Sequence, residues 1–296
     1  MSKKPYHSGK GGRRDMPRDR KRSSAPSGPE DRGERSRPQH AGQRPPRRDG
    51  DSRRGREAAP SGNLIWGYHP VLEALRSSRR RFGQMYATTA AAERLQAEIT
   101  ARKLTPDIVQ PAELDRILPA GAVHQGLALR VEPLPQPDLS ELPADGFVLV
   151  LDQITDPHNL GAIIRTAAAF AVSAIVLTER NAPPLAGVVA KSASGGLEHV
   201  PVIAVVNLAR AMEELGSLGY WRIGLDSDGE ASLDDMALTR PLALVLGAEG
   251  KGLRRLTREN CDAMARLDMP GAIKSLNVSN ACAAALTMVR LRTAQS

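Results

Sequence analysis

The sequence predicts an α/β protein: two successive modules of alternating strands and helices, the second a mostly parallel sheet covered by helices on both faces. Three observations carry this. Short apolar runs alternate with amphipathic stretches along most of the chain. One run, Phe147-Val148-Leu149-Val150-Leu151, is apolar throughout, as a parallel strand buried on both faces requires. The connections are short, which favours βα units packed into layers.

The first module opens at Asn63. Leu64 to Gly67 reads as a strand, and His69-Pro70 opens a helix through Val71, Leu72, Ala74 and Leu75. Proline is tolerated in the first helical turn because its missing N–H had no partner there. Gln84 to Thr88 reads as a strand, Ala90 to Lys103 as one helix, and Asp107 to Gln110 as a strand. A helix from Pro111 and a strand from Gly126 to Val131 complete the module. Residues 133–146, with Pro133, Pro135, Pro137 and Pro143, read as a semi-rigid linker. In the second module, helices are expected at Leu160–Ala171, Asn207–Leu218 and Leu276–Arg292. Strands are expected at 147–151, 174–178, 201–206, 221–225 and 242–246.

Residues 1–60 differ from the rest. Of the chain's 41 basic and 33 acidic residues, this stretch holds 18 and 8, which leaves 23 and 25 for the remainder. Nearly devoid of large apolar side chains, it is expected to be a disordered basic tail. Such an arm suits a polyanion, because each phosphate it neutralises releases condensed counterions. Its acidic residues and lack of an amphipathic pattern disfavour a mitochondrial targeting role, and no secretory or membrane-spanning apolar run is present. The two cysteines, Cys261 and Cys282, have no metal-type spacing and are expected to stay reduced. No metal and no membrane partner are therefore expected.

Three segments at strand ends carry potential chemistry, since ligand sites in open α/β sheets lie there. In Asp156-Pro157-His158-Asn159-Leu160-Gly161, Asn159 stands where it could cap the next helix. Arg165 follows among small and apolar residues; buried, it would require an anion. Gly247-Ala248-Glu249-Gly250-Lys251-Gly252 is a glycine-rich turn that permits close backbone approach to a ligand. It matches neither the G-x-G-x-x-G nor the Walker spacing, so a tight structural turn remains open. In Ser275-Leu276-Asn277-Val278-Ser279, Ser275 is the natural helix cap.

Together, in order and spacing, these segments resemble the motifs of the SpoU/TrmH branch of the SPOUT methyltransferases. The matching residues are Asp156, Pro157, Asn159, Gly161 and Arg165, then Gly247, Glu249, Gly250 and Gly252, then Ser275 to Ser279. The resemblance covers about residues 147–294. The first module, with Gly67-Tyr68-His69-Pro70-Val71 and His124-Gln125-Gly126, is similar to the small ribosomal-protein-like RNA-binding domain of bacterial 23S rRNA guanosine-2′-O-methyltransferases. One departure is the loop Leu267-Asp268-Met269-Pro270, where family members often carry Ile-Pro-Met.

The resemblance implies methyl transfer from S-adenosylmethionine to a ribose 2′-hydroxyl of 23S rRNA, by a cytoplasmic homodimer with a C-terminal trefoil knot. It implies a layout of basic tail at 1–60, RNA-binding domain at 61–132, linker at 133–146 and methyltransferase domain at 147–296. Leu246, Gly247, Gly250, Leu267, Met269 and Leu276 would hold the cofactor. Arg165 would act on the hydroxyl, positioned with the ribose by Asn159, Glu249, Ser275 and Asn277. Because Arg stays protonated, an RNA phosphate or water is expected to take the proton. Rival readings are a tRNA ribose methyltransferase, a non-catalytic RNA-binding or ribosome-assembly protein of the same fold, and a dinucleotide-dependent oxidoreductase. The last lacks its glycine fingerprint after the first strand.

Overall fold

The computed structural model describes residues 63–293, all within one compact unit spanning Gly55–Ser296. The expected basic tail lies outside the described residues.

The first module forms β1 (Leu64–Trp66), α1 (Tyr68–Arg76), β2 (Phe82–Ala87), α2 (Thr89–Arg94), α3 (Gln96–Ala101), β3 (Asp107–Ile108), α4 (Pro111–Ile117) and β4 (Leu127–Val131). Its four-stranded sheet has the order β1-β4-β2-β3. The single helix expected at 90–103 is instead two. The chain breaks at Leu95, whose φ of −111° and ψ of 16° leave the helical region while its side chain is fully buried. Burying both Leu95 and Ile99 outweighs helix continuity here, because packing overrides local propensity. Helix α4 begins as read, with a capping box between Gln110 and Glu113.

The second module forms β5 (Phe147–Asp152), α5 (Pro157–Ala169), β6 (Ala174–Thr178), α6 (Gly187–Ala193), β7 (Val202–Val205), α7 (Leu208–Ser217), β8 (Trp221–Leu225), β9 (Ala231–Ser232), β10 (Leu242–Gly247), α8 (Arg255–Glu259), β11 (Ala263–Arg266) and α9 (Val278–Thr293). Its seven strands run in the order β7-β6-β5-β10-β8-β11-β9, and every neighbouring pair is parallel. Alternate residues of β5 enter opposite layers. Phe147, Leu149 and Leu151 pack with α5, α6 and α9, whereas Val148 and Val150 pack with α7. The continuous apolar run thus means what it predicted, a strand covered on both faces. Helix α6 and strand β11 were not anticipated; Ala-Met-Ala-Arg carries no β-branched residue to mark a strand.

The topology fixes where a ligand can sit. From β5 the chain winds outward through β6 and β7, then crosses to β8 and returns to insert β10 between β5 and β8. Neighbouring strands β5 and β10 therefore send their connections in opposite directions, and a crevice opens at their carboxyl ends.

The small sheet is joined to the large one by a polar seam. Arg80 and Glu198 are 6% and 8% exposed. Arg80 donates to Glu198 Oε1 from Nε at 3.0 Å and from Nη2 at 2.5 Å, and from Nη1 to the Glu132 carbonyl at 2.8 Å. Lys191 Nζ donates to Gln125 Oε1 at 2.9 Å, and the Tyr68 N–H donates to the same oxygen at 3.0 Å. Burial lowers the Lys191 ammonium's pKa. The Pro-rich segment is tied down as well: Tyr220 Oη donates to the Pro143 carbonyl at 2.6 Å, and the Ala204 N–H donates to Gln136 Oε1 at 2.9 Å.

Candidate functional site

Three segments meet where β5, β10 and β8 end. Helix α5 starts at Pro157, earlier than its apolar pattern suggests, and its cap is Asp156, whose Oδ1 accepts from the His158 N–H at 2.9 Å. Asn159, expected as the cap, instead lies in the first turn, where its side chain is free to reach across the site. Likewise the cap of α9 is Asn277, not Ser275. Asn277 Oδ1 accepts from the backbone N–H and the hydroxyl of Ser279, at 2.9 and 2.6 Å. The same side chain turns its amide outward: Nδ2 donates to Asn159 Oδ1 at 3.0 Å and to Glu249 Oε2 at 3.5 Å. Asn277 is suited to this because its oxygen caps the helix while its amide still has two donors to spend. One residue from each motif is thereby tied into a single array.

The glycine-rich loop between them is held at both ends. Gly252 N–H donates to the Ala248 carbonyl at 2.9 Å. A Cβ on Gly247 would stand 2.2 Å from the carbonyl carbon of Gly252, so the loop folds back more closely than any side chain would permit. Beyond the loop, the fully buried Asp152 at the end of β5 accepts from the Arg254 N–H at 3.0 Å and from its Nε at 2.6 Å. A glycine at 161 similarly lets α5 press on α6, since a Cβ there would lie 2.7 Å from the Val189 carbonyl oxygen.

Two adjoining clefts result. The larger, about 460 Å³, is lined by Leu246, Gly247, Gly250, Leu267, Met269 and Leu276, the six residues expected to hold the cofactor. Its apolar walls and glycine-lined rim suit a flat nucleoside, and its size lies within the range of small-molecule sites. Glu249 and Ser275 line it too. The second cleft, about 360 Å³, is lined by Asn159, Asp156, Thr155 and Asn181; Ala248, Glu249, Lys251 and Val278 border both. Glu249 therefore stands on the boundary between them.

Arg165 is not brought to this array. It is exposed on the outer face of α5, lines neither cleft, and has no side-chain hydrogen bond or ion pair among the described residues. Its side chain stays on the surface although the turn at Gly196 lies against its backbone, where a Cβ on Gly196 would stand 3.1 Å from the Arg165 Cα. Several lining residues carry no sequence expectation, among them Asp226, Asp228, Arg258, Lys251 and Lys274. Asp226 carried the most usable signal, since it directly follows the end of β8. Burial pushes the thiols of Cys261 and Cys282 up to about 12, which keeps both protonated and unreactive. Among the described residues, no group of three or more His, Cys, Asp or Glu could hold a metal ion.

Comparison with known proteins gives this geometry its class. The profile described as the SpoU rRNA Methylase family matches residues 146–287, and the one described as RNA 2′-O ribose methyltransferase substrate binding matches residues 64–137. A 23S rRNA (guanosine-2′-O-)-methyltransferase RlmB of Yersinia pestis is 38% identical over 226 residues, covering 73% of this chain and 92% of that protein. The RlmB of Nitrosomonas europaea is 41% identical over 223 residues, covering 73% and 86%. Among solved structures, the SpoU methyltransferase AviRb of Streptomyces viridochromogenes with AdoMet shares the fold. Its TM-score is 0.67 at 24% identity, over 78% of this chain and 90% of that one. The fold and its motifs thus define an RNA 2′-O-ribose methyltransferase. The chain belongs to the SpoU rRNA methylase family.

Proposed function

We propose that this protein methylates the ribose 2′-hydroxyl of a guanosine in 23S rRNA. The observation that carries the reading is the paired clefts, one lined by all six expected donor-binding residues and the other meeting it at Glu249. The RlmB relatives supply the substrate, at 38% and 41% identity over most of their length.

The donor supplies an electrophilic methyl on sulfur, so the protein's task is positioning and proton handling. Backbone groups of the 247–252 and 267–276 loops would hold the donor, in a cleft that Leu246, Leu267 and Leu276 also line. Asn159, Glu249, Ser275 and Asn277 position the ribose at the boundary of the two clefts. Arg165 would grip an RNA phosphate in forked geometry and orient the hydroxyl; as the methyl passes from the donor's sulfur to the ribose oxygen, breaking the S–C bond and leaving a neutral thioether, a phosphate oxygen or water would accept the hydroxyl proton.

Because Arg165 faces outward, we place the acceptor side at the meeting of two copies, as a homodimer. We read the C-terminal region as a trefoil knot; β10 between β5 and β8 and the packing of α9 beside α5 support it. The small sheet of residues 61–132 docks folded RNA by shape and backbone contacts, residues 133–146 link it to the methyltransferase domain of 147–296, and the basic tail adds a salt-sensitive contribution. No helix of the described residues is long and apolar enough to cross a membrane; we place the reaction in the cytoplasm, with the ribosomal RNA.

The test is methyl transfer in vitro to 23S rRNA fragments and, separately, to tRNA, followed by mapping of the 2′-O-methyl position. A single modified guanosine in the 23S fragments is expected. Transfer to tRNA alone would move the substrate to tRNA, and binding of RNA without transfer would favour an assembly protein.

A further inference from the structure

Asp226 belongs to none of the three motifs, yet it lines the larger cleft together with the glycine-rich loop. We propose that Asp226, held by Arg258, recognises the sugar hydroxyls of the methyl donor; the proposal rests on the reading that this cleft takes S-adenosylmethionine.

Asp226 follows β8 directly, one strand across from the glycine loop that leaves β10. An acidic residue at a strand end beside a glycine turn is the arrangement by which other open α/β sheets grip a nucleotide ribose. The side chain is only 11% exposed, and its orientation is set from two sides. The Asp228 N–H donates to Oδ1 at 3.1 Å, and Arg258 Nη2 donates to Oδ2. A carboxylate oxygen accepts two hydrogen bonds, so each retains capacity for one more.

The opening toward the cleft depends on Gly252. That residue has φ of +63°, and a Cβ on it would stand 3.1 Å from Asp226 Oδ2. A side chain there would crowd the carboxylate from the loop side; glycine leaves it accessible. The charge balance then selects the ligand group. Arg258 compensates the carboxylate, so the site offers acceptors without a net negative charge. That suits neutral hydroxyls better than the donor's ammonium, which would compete with the guanidinium. Arg258 lines the same cleft.

Calorimetric titration of the full-length protein tests this with two ligands, S-adenosylmethionine and its 2′,3′-dideoxy analogue. Wild-type protein is expected to bind the hydroxylated donor at least about tenfold more tightly than the analogue. Asp226→Ala should bind both at about the affinity that wild type has for the analogue. Arg258→Gln, which releases the carboxylate from its anchor, should lose a large part of the preference. Equal weakening toward both ligands in Asp226→Ala, with the preference intact, would overturn the proposal, as would unchanged donor affinity. Full preference in Arg258→Gln would overturn the role of the pair. A wild-type protein that bound neither ligand would instead overturn the donor reading of the cleft.

Discussion

Asn159 and Arg165 lie on one helix and have opposite surroundings. Asn159 is bonded to Asn277, and through it to Glu249, at the junction of two clefts. Arg165 is exposed and outside both. Helical geometry explains the divergence: at 3.6 residues per turn, six positions turn a side chain to a face about 120° away. The contrast separates the two halves of the reaction. On the proposed reading, the donor side is assembled within one chain by strand ends and caps, whereas the acceptor side is completed by RNA or a second copy.

The sharpest way to break this contrast is Arg165→Ala. Methyl transfer should fall about 100-fold or more, because a misplaced reactant loses that order of rate, while donor affinity measured by calorimetry stays at the wild-type value. A matching loss of donor affinity would mean that the two sides are not separate. Arg165→Lys should remain slow, since an ammonium lacks the forked donors of a guanidinium. Gly247→Ala is the converse experiment. Its Cβ would meet backbone at 2.2 Å, which cannot rotate away, so the loop must shift. Donor affinity should drop about tenfold, with a stability loss of about 1–3 kcal/mol in urea unfolding. Intact donor binding in this variant would show that the loop does not form the cradle.

The same contrast marks how far the sequence could be read. The parallel sheet was legible in the continuous run at 147–151, and six cleft-lining residues, Leu246, Gly247, Gly250, Leu267, Met269 and Leu276, were legible because strand ends and glycine loops are local features. What the pattern could not show was how side chains divide labour across segments. Ser275 and Asn159 both look like caps from their positions, yet Asn277 and Asp156 perform the capping. An Asn with an oxygen for the helix and an amide for the site resolves this only in three dimensions. The small and apolar neighbours of Arg165 left its burial undetermined, and its side chain lies on the surface, because burial depends on what packs against a helix face and not on the flanking residues. The break at Leu95 and the strand at 263–266 were likewise decided by packing.

Asn277 gives a smaller effect that separates capping from chemistry. Asn277→Ala should cost about 1 kcal/mol, the ordinary value of a lost cap, and should also slow transfer because Asn159 and Glu249 lose their shared donor. Asn277→Asp keeps an acceptor for the Ser279 N–H but supplies no amide. Its urea midpoint should lie near wild type while transfer falls, and a variant equal to wild type in both would deny Asn277 any role beyond the cap.

The smallest effect is expected where the donor side's scaffold is built but no ligand reaches. Arg222, near the start of β8, donates from its backbone N–H and Nε to Asp262 Oδ2 at 2.8 and 2.9 Å, clasping the turn that leads into β11. The Arg222 hydrogen bond holds the Asp262 carboxyl below the usual carboxylate range. A depressed folded-state value means that the clasp stabilises the protein above the unfolded carboxyl's pKa and stops doing so as pH falls through the folded one. The carboxylate is about a third exposed, so solvent screening keeps the contribution under about 1 kcal/mol. Asp262→Asn should therefore lower urea stability slightly at neutral pH, and the two unfolding curves should converge in acid. Donor affinity should not change, because the clasp ties the amino ends of β8 and β11 while the cleft lies at their carboxyl ends. A loss of donor binding would mean that the strand ends are not rigid enough to insulate the site from their far side.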